Sequence, residues 1–203
     1  MMRSGLRDRD VQAISFLETD LFFLDAAFHG RADRFMVLAG TLPGGEDAFP
    51  YGGSGDLLWV REPWRFTSDR TGVASHPMFE YLADYRGVLH TGPWRRPVDM
   101  PREASRLTLL IIWTRPMRVG DVTGDDMAGC GVQPGAHGGL EPAWRALWRM
   151  KYGMEGADPA ARVWNVGIVP IPVQVDRVLA TPEIIREAFD HARGGRLDGP
   201  GAT

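Results

Sequence analysis

The run Leu107-Thr108-Leu109-Leu110-Ile111-Ile112-Trp113 constrains this chain more than any other stretch. It is continuous rather than alternating, the pattern of a strand covered on both faces. It is far too short to cross a bilayer, which takes roughly 20 residues. A strand of this kind needs apolar elements packed above and below it. The chain can supply them: 44% of its 203 residues are hydrophobic and 24% are charged. Those are ordinary globular values, and the length suits one domain.

Other elements follow from period and punctuation. Gln12–Leu17, Phe35–Ala39, Asp56–Glu62, Phe79–Arg86 and Val163–Ile171 read as short strands beside the central one at Ser105–Trp113. Leu21, Phe22, Leu24 and Phe28 predict a helix capped by Thr19 and ended by Gly30. Thr123 with Asp126 is a capping-box pattern, and Pro142–Tyr152 reads as a further helix. Thr181-Pro182-Glu183 opens a last one. Helices inserted singly among strands predict an α+β chain, not a doubly wound α/β sheet. The expected organisation is a lead-in over 1–11, a domain over 12–172, a helical extension over 173–193 and a disordered Gly/Pro-rich tail over 194–203.

Several chemistries find no support. The histidines at 29, 76, 90, 137 and 191 show no metal-ligand spacing, so no metal is expected. Gly52-Gly53-Ser54-Gly55 lacks the lysine and the following helix of a phosphate loop, and no cofactor is expected. A single cysteine, Cys130, forms no internal disulfide, and Met1–Asp10 carries no apolar signal core. A cytoplasmic protein with no membrane partner is expected. The net charge of −3 gives no global pull toward nucleic acid, so a small or short ligand is favoured over a long duplex. Lys151 is the sole lysine, which confines any lysine chemistry to one position.

Three blocks in order carry a family resemblance. Pro50-Tyr51-Gly52 with Gly55-Asp56 and Leu58-Trp59-Val60-Arg61-Glu62, then Trp64, is similar to the segment PYG-x-x-GD-x-LWVRE-x-W. Met100-Pro101-Arg102 with Ala104-Ser105-Arg106-Leu107-Thr108-Leu109 is similar to MPRWASRITL. Trp144-Arg145-Ala146-Leu147-Trp148 with Val163-Trp164-Asn165-Val166 is similar to a helix and last strand. Together they resemble the ASCH proteins of the PUA-like superfamily, in the versions carried by phages and prophages. The resemblance spans roughly 12–172 and implies a small mixed, mostly antiparallel β-barrel with flanking helices.

The resemblance also implies what is missing. Members that hydrolyse acetylated cytidine use the lysine and second threonine of a GRKTxT run, assisted by a glutamate on a later helix. Aligned without gaps, Gly30-Arg31-Ala32-Asp33-Arg34-Phe35 puts Ala32 and Phe35 at the first two positions, and Cys130 at the third. The implied reading is a barrel that keeps its pocket without that activity.

The candidate ligand residues are Arg31, Arg34, Arg61, Glu62, Trp64, Arg102, Ser105 and Arg106. Guanidiniums bind phosphate oxygens bidentately, and a ring such as Trp64 stacks on a base. Arg102 and Arg106 share one face if both lie in an extended strand. Single-stranded nucleic acid, RNA in particular, or a modified nucleotide is the expected partner. Two alternatives stand beside it. One is a nucleoside amidohydrolase or nuclease with a rebuilt site using Glu62, with Cys130 or Lys151. The other is a phage-encoded factor that acts through a protein partner. Cys130 also reads more plainly as a small buried hydrophobe.

Overall fold

The apolar run becomes the first half of the longest strand. A computed structural model describes residues 12–16, 20–44, 47–67, 79–85, 92–134, 138–154, 156 and 158–172. In chain order the elements are β1 (Gln12–Ser15), α1 (Leu21–Phe28), β2 (Arg34–Leu38), β3 (Leu57–Arg61), β4 (Trp64–Phe66), β5 (Phe79–Tyr81), β6 (Leu107–Arg118), α2 (Gly124–Gly129), α3 (Leu140–Tyr152) and β7 (Arg162–Pro172). The expected cap at Thr19, the helix opened by Thr181 and both terminal segments lie outside the described residues. The expected strand at Phe79–Arg86 ends at Tyr81 and gives way to a 3-10 turn over Leu82–Tyr85.

Five strands form one sheet in the order β1-β3-β6-β7-β2, and β4 pairs with β5 in a separate ribbon. Only β1 and β3 run parallel; the other pairs of the sheet are antiparallel. The α+β class and the mostly antiparallel sheet therefore stand. The expected closed barrel does not: among the described residues no ladder joins the edge strands β1 and β2. Side chains occupy the gap instead. Phe16, just past β1, meets Phe35 of β2 edge-to-face at 5.7 Å, and Phe23 of α1 touches both. Aromatic rings of this size hold the edges too far apart for backbone hydrogen bonds.

Both faces of the sheet are covered, as the continuous apolar pattern of β6 predicts. Leu107, Leu109, Leu110 and Ile111 have no exposed surface. One face packs Leu58, Leu109, Ile111, Trp164 and Val166 against α1. The other packs Met36, Leu38 and Val163 against Met127, Trp144 and Trp148 of α2 and α3. A bulge divides β6: Ile111 pairs with Ile168 and Trp113 with Gly167, leaving Ile112 unpaired. Before it, odd-numbered residues face α1. After it, Trp113 lies against Gly167 on the opposite face, where any side chain at 167 would collide with the indole.

The helix ends obey their sequence signals. Gly30 takes φ +64°, Arg31 N–H donates to the Ala26 carbonyl and Gly30 N–H to that of Ala27. That double bond closes α1 as a left-handed glycine allows. Thr123 caps α2 with Asp126 in a reciprocal capping box.

Candidate nucleic-acid interface

Glu62 leaves β3 and turns inward, where it is 1% exposed. Arg106 takes both its oxygens, Nε at 2.8 Å and Nη2 at 2.9 Å. The third nitrogen of Arg106 donates to Asp84 at 2.7 Å. The guanidinium lies against the rings of Phe28 and Tyr81, at 4.3 and 4.0 Å. Burial pushes the Glu62 carboxyl up, against the pull of the Arg106 hydrogen bonds and charge. Burial likewise pushes the Tyr81 phenol up to about 12, and its hydroxyl donates to the Ala104 carbonyl at 2.7 Å. Ser105 is buried, and its hydroxyl donates to the Val60 carbonyl at 2.9 Å. Glu62, Ser105 and Arg106 thus come together as a tie between β3 and the start of β6.

Arg102 does not join them. It sits in a 3-10 turn, Arg102–Ala104, rather than in a strand, so the expected shared face with Arg106 is corrected. Pro101 removes the backbone donor that would extend the ladder upstream. Arg102 is exposed and has no ion pair among the described residues.

Arg31 and Arg34 are held elsewhere. Arg31 meets Asp25 of α1 at 2.6 Å. Arg34 bonds Asp33 at 2.7 Å and Asp126 at 3.0 Å. Asp126 also accepts from Thr123 and from the Asn165 amide at 2.8 Å. Burial alone would raise the Asp126 carboxyl; these bonds outweigh it and hold it below its ordinary value.

The three positions aligned with the family's reactive residues are core. Ala32, Phe35 and Cys130 are buried, and the last two line one small cavity of about 30 Å³ with Asp20 and Lys151. Burial pushes the Cys130 thiol far up, away from reactivity. Burial opposes the charge of Lys151, yet the Asp20 carboxylate at 2.6 Å keeps it protonated. Cys130 and Lys151 therefore share a site that Glu62 does not enter. Among the described residues no three histidine, cysteine or carboxylate side chains gather as a metal would need, and no helix is long and apolar enough to cross a membrane.

A second group of arginines lies nearer the surface, Arg95 and Arg96 exposed and Arg61 and Arg65 half-buried. Arg61 lies over Trp59 at 5.3 Å and donates from Nη1 to the Val98 carbonyl at 3.1 Å. Its Nε is buried without an acceptor. Arg65 of β4 stacks on Trp94 at 4.4 Å and pairs with Glu80 across the ribbon at 2.6 Å. Arg95 bridges to Trp64 by backbone bonds in both directions, and its guanidinium lies over Trp64 and Phe66 at 5.3 and 5.0 Å. Arg96 pairs with Asp99. Arg95 is exposed and has no carboxylate partner among the described residues. Trp64 itself is 2% exposed, wedged against Phe66 and Phe79, so the ring expected to stack on a base is a core ring. Phe66 beside it is 46% exposed.

Arg61 is legible from its block. Arg65, Phe66 and Arg95 were missed. The signal was the alternation of ring and guanidinium in Trp64-Arg65-Phe66 and Trp94-Arg95-Arg96, which marks two segments that cross each other's side chains.

No protein-family model matches the sequence, and no curated protein matches it. A crystal structure of a protein from Enterococcus faecalis V583, described under the family-model DUF984, aligns over 84% of this chain and 87% of its own. The identity is 6% and the TM-score 0.48. No residue role follows from so general a likeness.

Proposed function

We propose that this chain is a binding module for single-stranded nucleic acid or a modified nucleotide, with Trp59, Arg61, Arg65, Phe66, Trp94 and Arg95 as its docking face. Arg95 carries the reading: an exposed guanidinium resting on rings, with no carboxylate partner among the described residues. Stacked guanidiniums keep their N–H edges outward for phosphate oxygens, while Phe66 and Trp94 offer faces to bases. Arg61, Arg65 and Arg95 gather on this face, and Glu80 is the carboxylate seen to pair with one of them, which makes a local positive patch on a chain whose net charge is −3. A local patch of this kind suits a short contact rather than a long duplex track. The finer kinship with ASCH proteins of PUA-like fold belongs to the same reading. An amidohydrolase is less well supported, since Arg106 occupies both oxygens of Glu62.

The test is fluorescence anisotropy with a short labelled single-stranded RNA and its DNA counterpart at low salt. Binding should weaken with salt, with a slope of roughly −0.7 per phosphate neutralised. The double change Arg61→Ala, Arg95→Ala should flatten the slope and leave the thermal midpoint nearly unchanged. The proposal fails if the native protein binds neither oligonucleotide, or if the double variant binds as well as the native. The exposed Phe66 and Val98 of the same face would then point to a protein partner.

A further inference from the structure

Among the described residues, α2 and α3 cover the second face of the sheet at β2, at the end of β6 and at the start of β7. No residue of β1 or β3 belongs to that core. On β3 the alternate residues Leu57, Trp59 and Arg61 point to this side and are half-buried, while Leu58 and Val60 pack toward α1. The strand registers fix what stands beside them. Ala13 of β1 and Thr108 of β6 are the cross-strand neighbours of Trp59. Both side chains are small, so the indole has a low neighbour on each strand. One pair further along, Ser15 of β1 stands beside Arg61 and is exposed.

The spacing has a chemical meaning. Residues two apart in a strand are separated by roughly 6.6 Å, and neighbouring strands by about 4.8 Å. The indole and the Arg61–Ser15 pair therefore lie about one nucleotide's reach apart, base to phosphate. Arg61 is already fixed at the platform. Its guanidinium lies 5.3 Å from the indole centroid, and Nη1 donates to the Val98 carbonyl. Its Nη2 has no partner among the described residues and remains for a phosphate oxygen, with the Ser15 hydroxyl as a second donor. A free phosphate would use Arg61 and leave the indole bare, and an uncharged ring would do the reverse. A base joined to a phosphate uses both, the pairing by which unstacked bases are held. Because β1 is an edge of the sheet, a strand continuing past Ser15 leaves the platform, which suits one nucleotide across its width.

We infer that Trp59, Arg61 and Ser15 form a subsite for a single nucleotide, its base stacked on the indole and its phosphate held by the guanidinium and the hydroxyl. The inference rests on the nucleic-acid reading above and narrows it to the β1–β3 pair, where a nucleoside monophosphate is ligand enough.

The probe is adenosine 5′-monophosphate, followed by the indole N–H signals of the full chain in a ¹⁵N–¹H correlation spectrum. Trp59→Phe identifies the Trp59 signal by its loss. The nucleotide should shift that signal saturably. Adenosine should shift it with about tenfold weaker affinity, the scale of one charged hydrogen bond, and ribose 5-phosphate should leave it nearly in place. Ser15→Ala, at an exposed position, should weaken the nucleotide several-fold and leave adenosine unchanged. The inference is overturned if the Trp59 signal ignores the nucleotide, if ribose 5-phosphate moves it as far, or if Ser15→Ala binds the nucleotide as tightly as the native protein. The labelled RNA separates this subsite from the broader reading. RNA that binds while the Trp59 signal stays still would keep the nucleic-acid reading and sink the subsite, whereas no response to RNA or nucleotide would sink both.

Discussion

Arg106 and Glu62, 44 positions apart, meet through two parallel hydrogen bonds of 2.8 and 2.9 Å with Glu62 almost fully enclosed. The pair fastens the end of β3 to the start of β6. Arg106→Ala would strand a buried carboxylate, and such breaks cost about 3–5 kcal/mol. The thermal midpoint should drop sharply, whereas Arg102→Ala should leave it in place. Replacing both partners, as Glu62→Leu with Arg106→Met, should recover most of the loss. Urea unfolding of the three variants beside the native protein checks this. An Arg106→Ala protein as stable as the native would refute it.

Two buried carboxylates should answer to pH in opposite directions. Asp126 is held below its ordinary 3.8, so its contribution is present above that pH and is lost as acid protonates it. Glu62 is held above its ordinary 4.5. Its contribution is greatest below that value and declines as pH rises through the raised one. Asp126→Asn should therefore flatten the loss of stability below about pH 4. The stability gap between native and Glu62→Gln should narrow as pH rises above about 4.5. Gaps that stay constant across the range would contradict both assignments.

Trp164 sits in β7 with 6% exposure, its ring 6.0 Å from that of Phe49. Trp164→Ala should cost about 3–5 kcal/mol, the range for emptying a large core site. Chemical denaturation measures it, and a cost below about 1 kcal/mol would show that the site collapses or that the ring is not enclosed.

Cys130 is buried between the α2 end and the aromatic cavity, and desolvation disfavours its thiolate. A colourimetric disulfide reagent at mildly alkaline pH should leave the native thiol unmodified and titrate one thiol after denaturation. Rapid labelling of the folded chain would mean that this part of the core opens.

What the sequence made legible was local. The capping pattern of Thr123 and Asp126, the left-handed Gly30 and the unbroken apolar run each depend on neighbours a few positions away. Each reappears in the structure. The rest is set by partners far along the chain. Arg106 reads as a free cation until Glu62 and Asp84 are folded against it. Lys151 and Asp20 lie 131 positions apart. The 3-10 turn at Arg102 follows from a proline and a tertiary corner, and alternation carries no sign of either. Likewise, whether the edge strands would close into a barrel depended on how much space Phe16, Phe23 and Phe35 fill together.

The unpaired Ile112 acts on β6 as a single-letter insertion acts on a reading frame. Upstream, the odd positions Leu107, Leu109 and Ile111 belong to the α1 side. Downstream, the odd position Arg115 reaches toward Asp126 on the other side, at 3.8 Å. Deleting Ile112 would therefore leave every later position on its present face, with Trp113 still opposite Gly167 and Arg115 still on the Asp126 side, and would remove only the bend and extra twist that the bulge gives the strand.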